Sequence, residues 1–224
     1  SCRFAQVGED VTRSESLDIS TELTVEAWIE SGESPSDAFQ VLVSRWGNRS
    51  TMDAFESYDA GNTDGLDTKG YFGAVSDGRY VYFAPQLNDS QERHGQALRY
   101  DSHGDFSDPT SWEGYDAGST SGLNTKGYYG TVHAGDYIYY VPRTDGQNLH
   151  TRFLRFDRRG DFRDPGSWSA YDIGHPCAYQ SGAFDGRYIY YTPYAHSTVV
   201  RFDSSSSFTD SGGWSGTHLV SQRK

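Results

Sequence analysis

A segment of about 50 residues occurs three times along this chain, and that periodicity restricts the fold more than any other feature of its 224 residues. Gly70 to Pro85 reads Gly-Tyr-Phe-Gly-Ala-Val-Ser-Asp-Gly-Arg-Tyr-Val-Tyr-Phe-Ala-Pro, and Gly127 to Pro142 reads Gly-Tyr-Tyr-Gly-Thr-Val-His-Ala-Gly-Asp-Tyr-Ile-Tyr-Tyr-Val-Pro. A third copy runs from Gln180 through Asp185-Gly186-Arg187-Tyr188-Ile189-Tyr190-Tyr191 to Pro193. Each copy leads to Leu98-Arg99-Tyr100-Asp101, Leu154-Arg155-Phe156-Asp157 or Val200-Arg201-Phe202-Asp203. A phenylalanine and a tryptophan follow: Phe106 and Trp112, Phe162 and Trp168, Phe208 and Trp214. Trp112 to Trp168 is 56 residues, and Trp168 to Trp214 is 46.

Within a unit the period is two. Tyr80, Tyr82 and Ala84 alternate with Val81 and Phe83, as in strands buried on both faces. Asp77-Gly78 and Asp185-Gly186 lie between such runs and signal tight hairpins. Pro85, Pro142 and Pro193 close the second strand, because proline cannot donate to a central ladder. Trp112-Glu113-Gly114-Tyr115-Asp116 then reads as a fourth strand. Only 35% of residues are hydrophobic, whereas 17 Tyr, 12 Phe and 5 Trp supply the large side chains. The core is therefore aromatic, and with 25 Gly a helical bundle is disfavoured.

The expected fold class is all-β: a small β-propeller of four blades, with five the alternative count, each blade four antiparallel strands. The chain reads as one domain over 1–224. Residues 1–52 are expected to be a divergent first blade or a laminin-G-like remnant, 53–112, 113–168 and 169–214 are repeat units, and 215–224 are a closing strand or tail. Phe55-Glu56-Ser57-Tyr58-Asp59-Ala60-Gly61 matches Trp112 to Gly118 and is the last strand of an earlier unit. Cys2 and Cys177 would then lie in neighbouring blades of a closed ring, where a disulfide would lock the seam and imply an oxidising compartment; two free thiols are the other reading.

The repeats resemble those of bacterial secreted propeller proteins carrying Asp-Gly-Arg-Tyr-(Ile/Val)-Tyr, and they are kelch-like in layout. Leu17-Asp18-Ile19-Ser20, Leu23 to Ile29 and Val41 to Trp46 resemble the start of a laminin-G-like (concanavalin A-like) jelly roll. These resemblances imply an extracellular or cell-surface location and a glycan or a surface protein as partner.

The net charge of −12 argues against nucleic acid as a partner, and no apolar run approaches a membrane span. No nucleophile elbow, P-loop, H-E-x-x-H or C-x-x-C occurs, and no two of the seven histidines have metal-ligand spacing on one strand. The aspartates that recur in every unit, at 59, 116 and 172, at 101, 157 and 203, and at 108, 164 and 210, read as turn caps rather than catalytic acids.

Ligand chemistry is expected in the loops between units. Lys69 and Tyr71, Lys126 and Tyr128, and Tyr179 and Gln180 could hold a sugar by hydrogen bonds and stacking. The lysines could instead pair with repeat aspartates. Asp59, Asn62, Asp64 and Asp67 offer oxygen ligands for calcium, and no other cofactor is expected. The function expected is a non-catalytic extracellular module that recognises carbohydrate or protein. The alternatives are a structural subunit assembled by strand addition through the N-terminal segment, and a propeller glycoside hydrolase.

Overall fold

The computed structural model describes residues 56–175 and 177–216, and these form three four-stranded antiparallel sheets. The first contains β1 (Tyr71–Ser76), β2 (Tyr80–Pro85), β3 (Gln96–Asp101) and β4 (Trp112–Asp116). The second contains β5 (Tyr128–Ala134), β6 (Tyr137–Pro142), β7 (Arg152–Asp157) and β8 (Trp168–Asp172). The third contains β9 (Ala178–Phe184), β10 (Tyr188–Tyr194), β11 (Val200–Asp203) and β12 (Trp214–Gly216). Each sheet is a meander in chain order, so every repeat unit is one sheet. The sheets are open. The ring closure and blade count expected from the sequence involve residues 1–52, which lie outside the described residues. No helix among the described residues is long and apolar enough to cross a membrane.

The repeat motifs are local devices that shape each sheet. Asp77 Oδ1 accepts hydrogen bonds from the Arg79 and Tyr80 amides, and Oδ2 accepts one from the Tyr82 hydroxyl. Asp185 repeats this with Arg187, Tyr188 and Tyr190. Asp108, Asp164 and Asp210 cap one-turn 3-10 helices by accepting from the amides of Thr110, Gly166 and Gly212. Asp59, Asp116 and Asp172 accept from the amide two residues ahead. Each tryptophan indole donates to the carbonyl six residues back, Trp112 to Phe106, Trp168 to Phe162 and Trp214 to Phe208, at 2.8–3.0 Å. Pro193 departs from expectation. It sits inside β10 rather than ending it, beside a register shift where a ladder donor is not needed.

Two aromatic cores fill the spaces between consecutive sheets. The first is built around Tyr82, Tyr140, Phe156, Phe162 and Trp168, and the second around Tyr139, Phe153, Phe202, Phe208 and Trp214. The middle sheet is therefore buried on both faces. The contacts repeat. The Arg99 guanidinium lies 4.2 Å from the Tyr80 ring of its own sheet and 4.7 Å from Phe162 of the next. Arg155 lies 4.0 Å from Tyr137 and 4.4 Å from Phe208. Tyr115 at the end of one unit stacks on Trp168 of the next at 5.1 Å, and Tyr58 stacks on Trp112 at 5.0 Å.

Three histidines repeat as well, a regularity the sequence reading did not use. His94, His150 and His196 each place Nε2 on a backbone carbonyl, of Gly70, Lys126 and Ala178. Each Nδ1 accepts from an amide two residues on, at 3.2–3.3 Å. All three rings are thus built into loop-to-strand junctions. Burial lowers His150 from the ordinary 6.5 to about 4, and His94 is lowered for the same reason. The unfolded chain takes up these protons first, so the stabilisation is complete above pH 6.5 and drains away as pH falls towards 4.

Two outcomes are expected. For His150 the loss between pH 6.5 and 4 amounts to about 3 kcal/mol, and His150→Gln flattens that part of a stability–pH profile from urea unfolding. Phe156→Ala empties a site in the first core and costs about 3–5 kcal/mol, read as a lower urea midpoint.

Candidate ligand-binding site

The site begins with a backbone irregularity that all three sheets share. Between β1 and β2 the pairing runs from Tyr71–Pro85 directly to Ala74–Phe83, so Phe72 and Gly73 together oppose a single residue. Between β5 and β6 the same shift spans Tyr129 and Gly130, and between β9 and β10 it falls at Gln180. Gly73 and Gly130 take φ of 80° and 99°, which glycine reaches without a Cβ penalty. The two inner strands also approach closely here, since a Cβ on Gly73 would meet the Gly130 Cα at 3.3 Å. Such bulges re-aim side chains. Here they turn Phe72, Tyr129 and Gln180 outward, while their neighbours Tyr71, Tyr128 and Tyr179 turn into the protein.

The outward side chains meet in one stack. Phe72 and Tyr129 lie ring on ring at 4.4 Å. The Arg143 guanidinium is held between Tyr129, at 3.8 Å, and Tyr194, at 3.5 Å. Arg143 also donates to Gln180 Oε1, and Gln86 Nε2 donates to the Tyr129 hydroxyl at 2.6 Å. Gln86, Arg143 and Tyr194 occupy the same place in the three repeats, each the first residue after the repeat proline. Phe72 and Tyr194 at the two ends are 43% and 38% exposed, unusual for aromatics in a chain that buries most of its rings. The result is an aromatic–cation platform with amide groups beside it. It offers π faces, a guanidinium and hydrogen-bonding amides to a ligand. Among the described residues Arg143 has no carboxylate within ion-pair distance, whereas seven of the eleven described arginines do.

The residues expected from sequence fall partly elsewhere. Tyr128 and Tyr179 are fully buried, so their rings are core and not platform. Tyr71 is half-buried, and the Tyr71 and Tyr128 hydroxyls donate to the carbonyls of Gln96 and Arg152. Gln180 does belong to the platform. Lys69 is exposed and ion-paired with Asp67 and Asp89, at 3.4 and 3.1 Å. Lys126 is half-buried, and its carbonyl holds His150.

The four candidate calcium ligands have other employment. Asp59 caps its own turn, and Asp67 pairs with Lys69. Asp64 accepts from the Gly114 amide and from Arg163, in the connection between β7 and β8. Asn62 and Asp64 line an open hollow of about 420 Å³ with Tyr58, Trp112, Glu113 and Arg163, whose Glu113 is paired with Arg99. Among the described residues no three His, Cys, Asp or Glu side chains converge to hold a metal ion. Cys177 is a half-buried free thiol whose pKa burial raises, and Cys2 lies outside the described residues.

Compared with known proteins, the chain matches no family model, and no curated protein matches its sequence.

The bulge makes one substitution decisive for the platform. Gly73→Ala is expected to cost about 1–2 kcal/mol, because a Cβ is imposed on a left-handed backbone against Gly130. A lower urea midpoint reports the cost, and a changed near-ultraviolet circular dichroism spectrum reports the disturbed Phe72–Tyr129 pair.

Proposed function

We propose that this protein is a non-catalytic binding module of the extracellular space or cell surface that recognises a carbohydrate. In this reading the three sheets are consecutive blades of a β-propeller. The single observation that carries the functional reading is the platform of Phe72, Tyr129, Arg143 and Tyr194. Sugar rings present C–H faces that settle on aromatic rings, while their hydroxyls seek donors and acceptors such as Gln86, Gln180 and Arg143. The platform draws one stratum from each of the three repeats, at the end of the sheets where the inter-unit loops enter β1, β5 and β9. The repeat aspartates support a role without turnover, because they are engaged in turns and ion pairs rather than facing the platform. Location outside the cell is supported by the resemblance of the repeats to those of secreted proteins.

Titration calorimetry against a panel of oligosaccharides tests this. A bound oligosaccharide is expected to lose about tenfold in affinity with Phe72→Ala and at least as much with Arg143→Ala, without release of shorter products. Binding that survives both substitutions, or hydrolysis of the bound sugar, would refute it.

A further inference from the structure

Among the described residues, three sheets separated by two cores leave two faces with no neighbouring sheet, and the repeats show what each face is made to meet. Tyr82 of the first sheet and Tyr139 of the second are fully buried against the Phe–Trp corner of the next sheet. Tyr190 holds the same place in the third sheet and is half-buried. Arg99 is 8% exposed, and Arg155 is half-buried between Tyr137 and Phe208. Their counterpart Arg201 is exposed, 4.1 Å from Tyr188 on one side with no second ring beyond it among the described residues. The opposite end carries the converse. Phe156, Phe162, Phe202 and Phe208 are all fully buried, yet Tyr100 and Phe106 of the first sheet are half-buried. One end thus displays the tyrosine–arginine half of the interface and the other end the phenylalanine half.

The sequence identifies the occupant. Every internal interface uses a Phe six residues ahead of a Trp, and neither residues 1–55 nor residues 217–224 contain that pair. In the first sheet the pair is Phe106, half-buried, and Trp112, buried like its counterparts. The inter-unit tyrosine agrees. Tyr115 and Tyr171 cover Trp168 and Trp214, but the third unit has Thr217 at that place in sequence. The first sheet needs no tyrosine from a neighbour, because Tyr58 of its own chain already stacks on Trp112.

We propose that two copies of this chain associate head to tail, the third sheet of each stacking on the first sheet of the other by the contact already made twice inside the chain. Such a heterologous contact closes a ring when the rotation per unit allows it. Two copies bring six sheets, inside the range of roughly four to eight blades at which propellers close, whereas three copies would exceed it. The contact joins faces, not strand edges, and so differs from strand addition.

Native mass spectrometry and light scattering of the full chain over a concentration series test the proposal. The expected mass is twice that of the 25.0 kDa chain. Arg201→Glu and Phe106→Asp, one on each face, should each give a monomer with unchanged far-ultraviolet circular dichroism. Mixing the two should regain a dimer, because one of its two contacts is then intact. Tyr190→Ser repeats the Arg201 arm, so a folding failure of Phe106→Asp leaves the test standing. A wild-type monomer at every concentration, as expected if residues 1–52 close the ring within one chain, would overturn the proposal. So would a ladder of masses beyond the dimer, or a dimer that persists in Arg201→Glu and Tyr190→Ser.

Discussion

An arginine clasped between the tyrosine of its own sheet and the phenylalanine of the next is the contact on which the rest of this protein depends. Burying a cation is costly unless its charge and donors are met. Arg99 is met by Glu113 at 2.6 Å and by aromatic faces on both sides. Arg155 makes do with the Ser169 hydroxyl at 3.0 Å and the same two kinds of ring. The clasp fixes the spacing of one sheet from the next. Once the spacing is fixed, the tryptophan corner, the stacking tyrosine and the inner strands fall into place, and so does the outward platform near the close approach of β1 and β5.

Most of the architecture was legible in the residues. The alternation in Tyr80 to Pro85 gave β2, the Asp-Gly pairs gave two hairpins, and the recurring aspartates announced their turns. These are local signals, each contained in a few neighbouring residues. The platform was not legible for a physical reason. A strand's period of two assigns Tyr71 and Phe72 to opposite faces, but it does not say which face is open. The bulge then places Phe72 and Gly73 against one partner residue, which no alternation pattern encodes. Glycine at 73 and 130 was the available hint, together with the change from Phe72 to Tyr129 to Gln180 across repeats whose adjacent tyrosine never changes. The histidines escaped notice because they sit in loops whose surrounding sequences differ.

Under the proposed binding function, stability and recognition are divided along the length of each sheet. The tryptophan corners and hairpin aspartates stiffen one part, and their residues recur from repeat to repeat. The platform end carries different side chains in every repeat. A repeated scaffold presents a non-repeated surface in this way, and rigidity beneath the platform limits the entropy lost when a ligand settles on it.

The third repeat unit is ten residues shorter than the second, 46 against 56, yet Arg155 clasps its Phe208 at 4.4 Å, close to the 4.7 Å of Arg99 on Phe162. The missing residues come from connecting loops, not from the faces that pack. Length change and face chemistry are therefore decoupled. A lineage of such proteins can gain, lose or rewrite loop segments while each duplicated unit still fits its neighbour. Side chains at the loop end of the sheets can change without a stabilising change elsewhere having to come first.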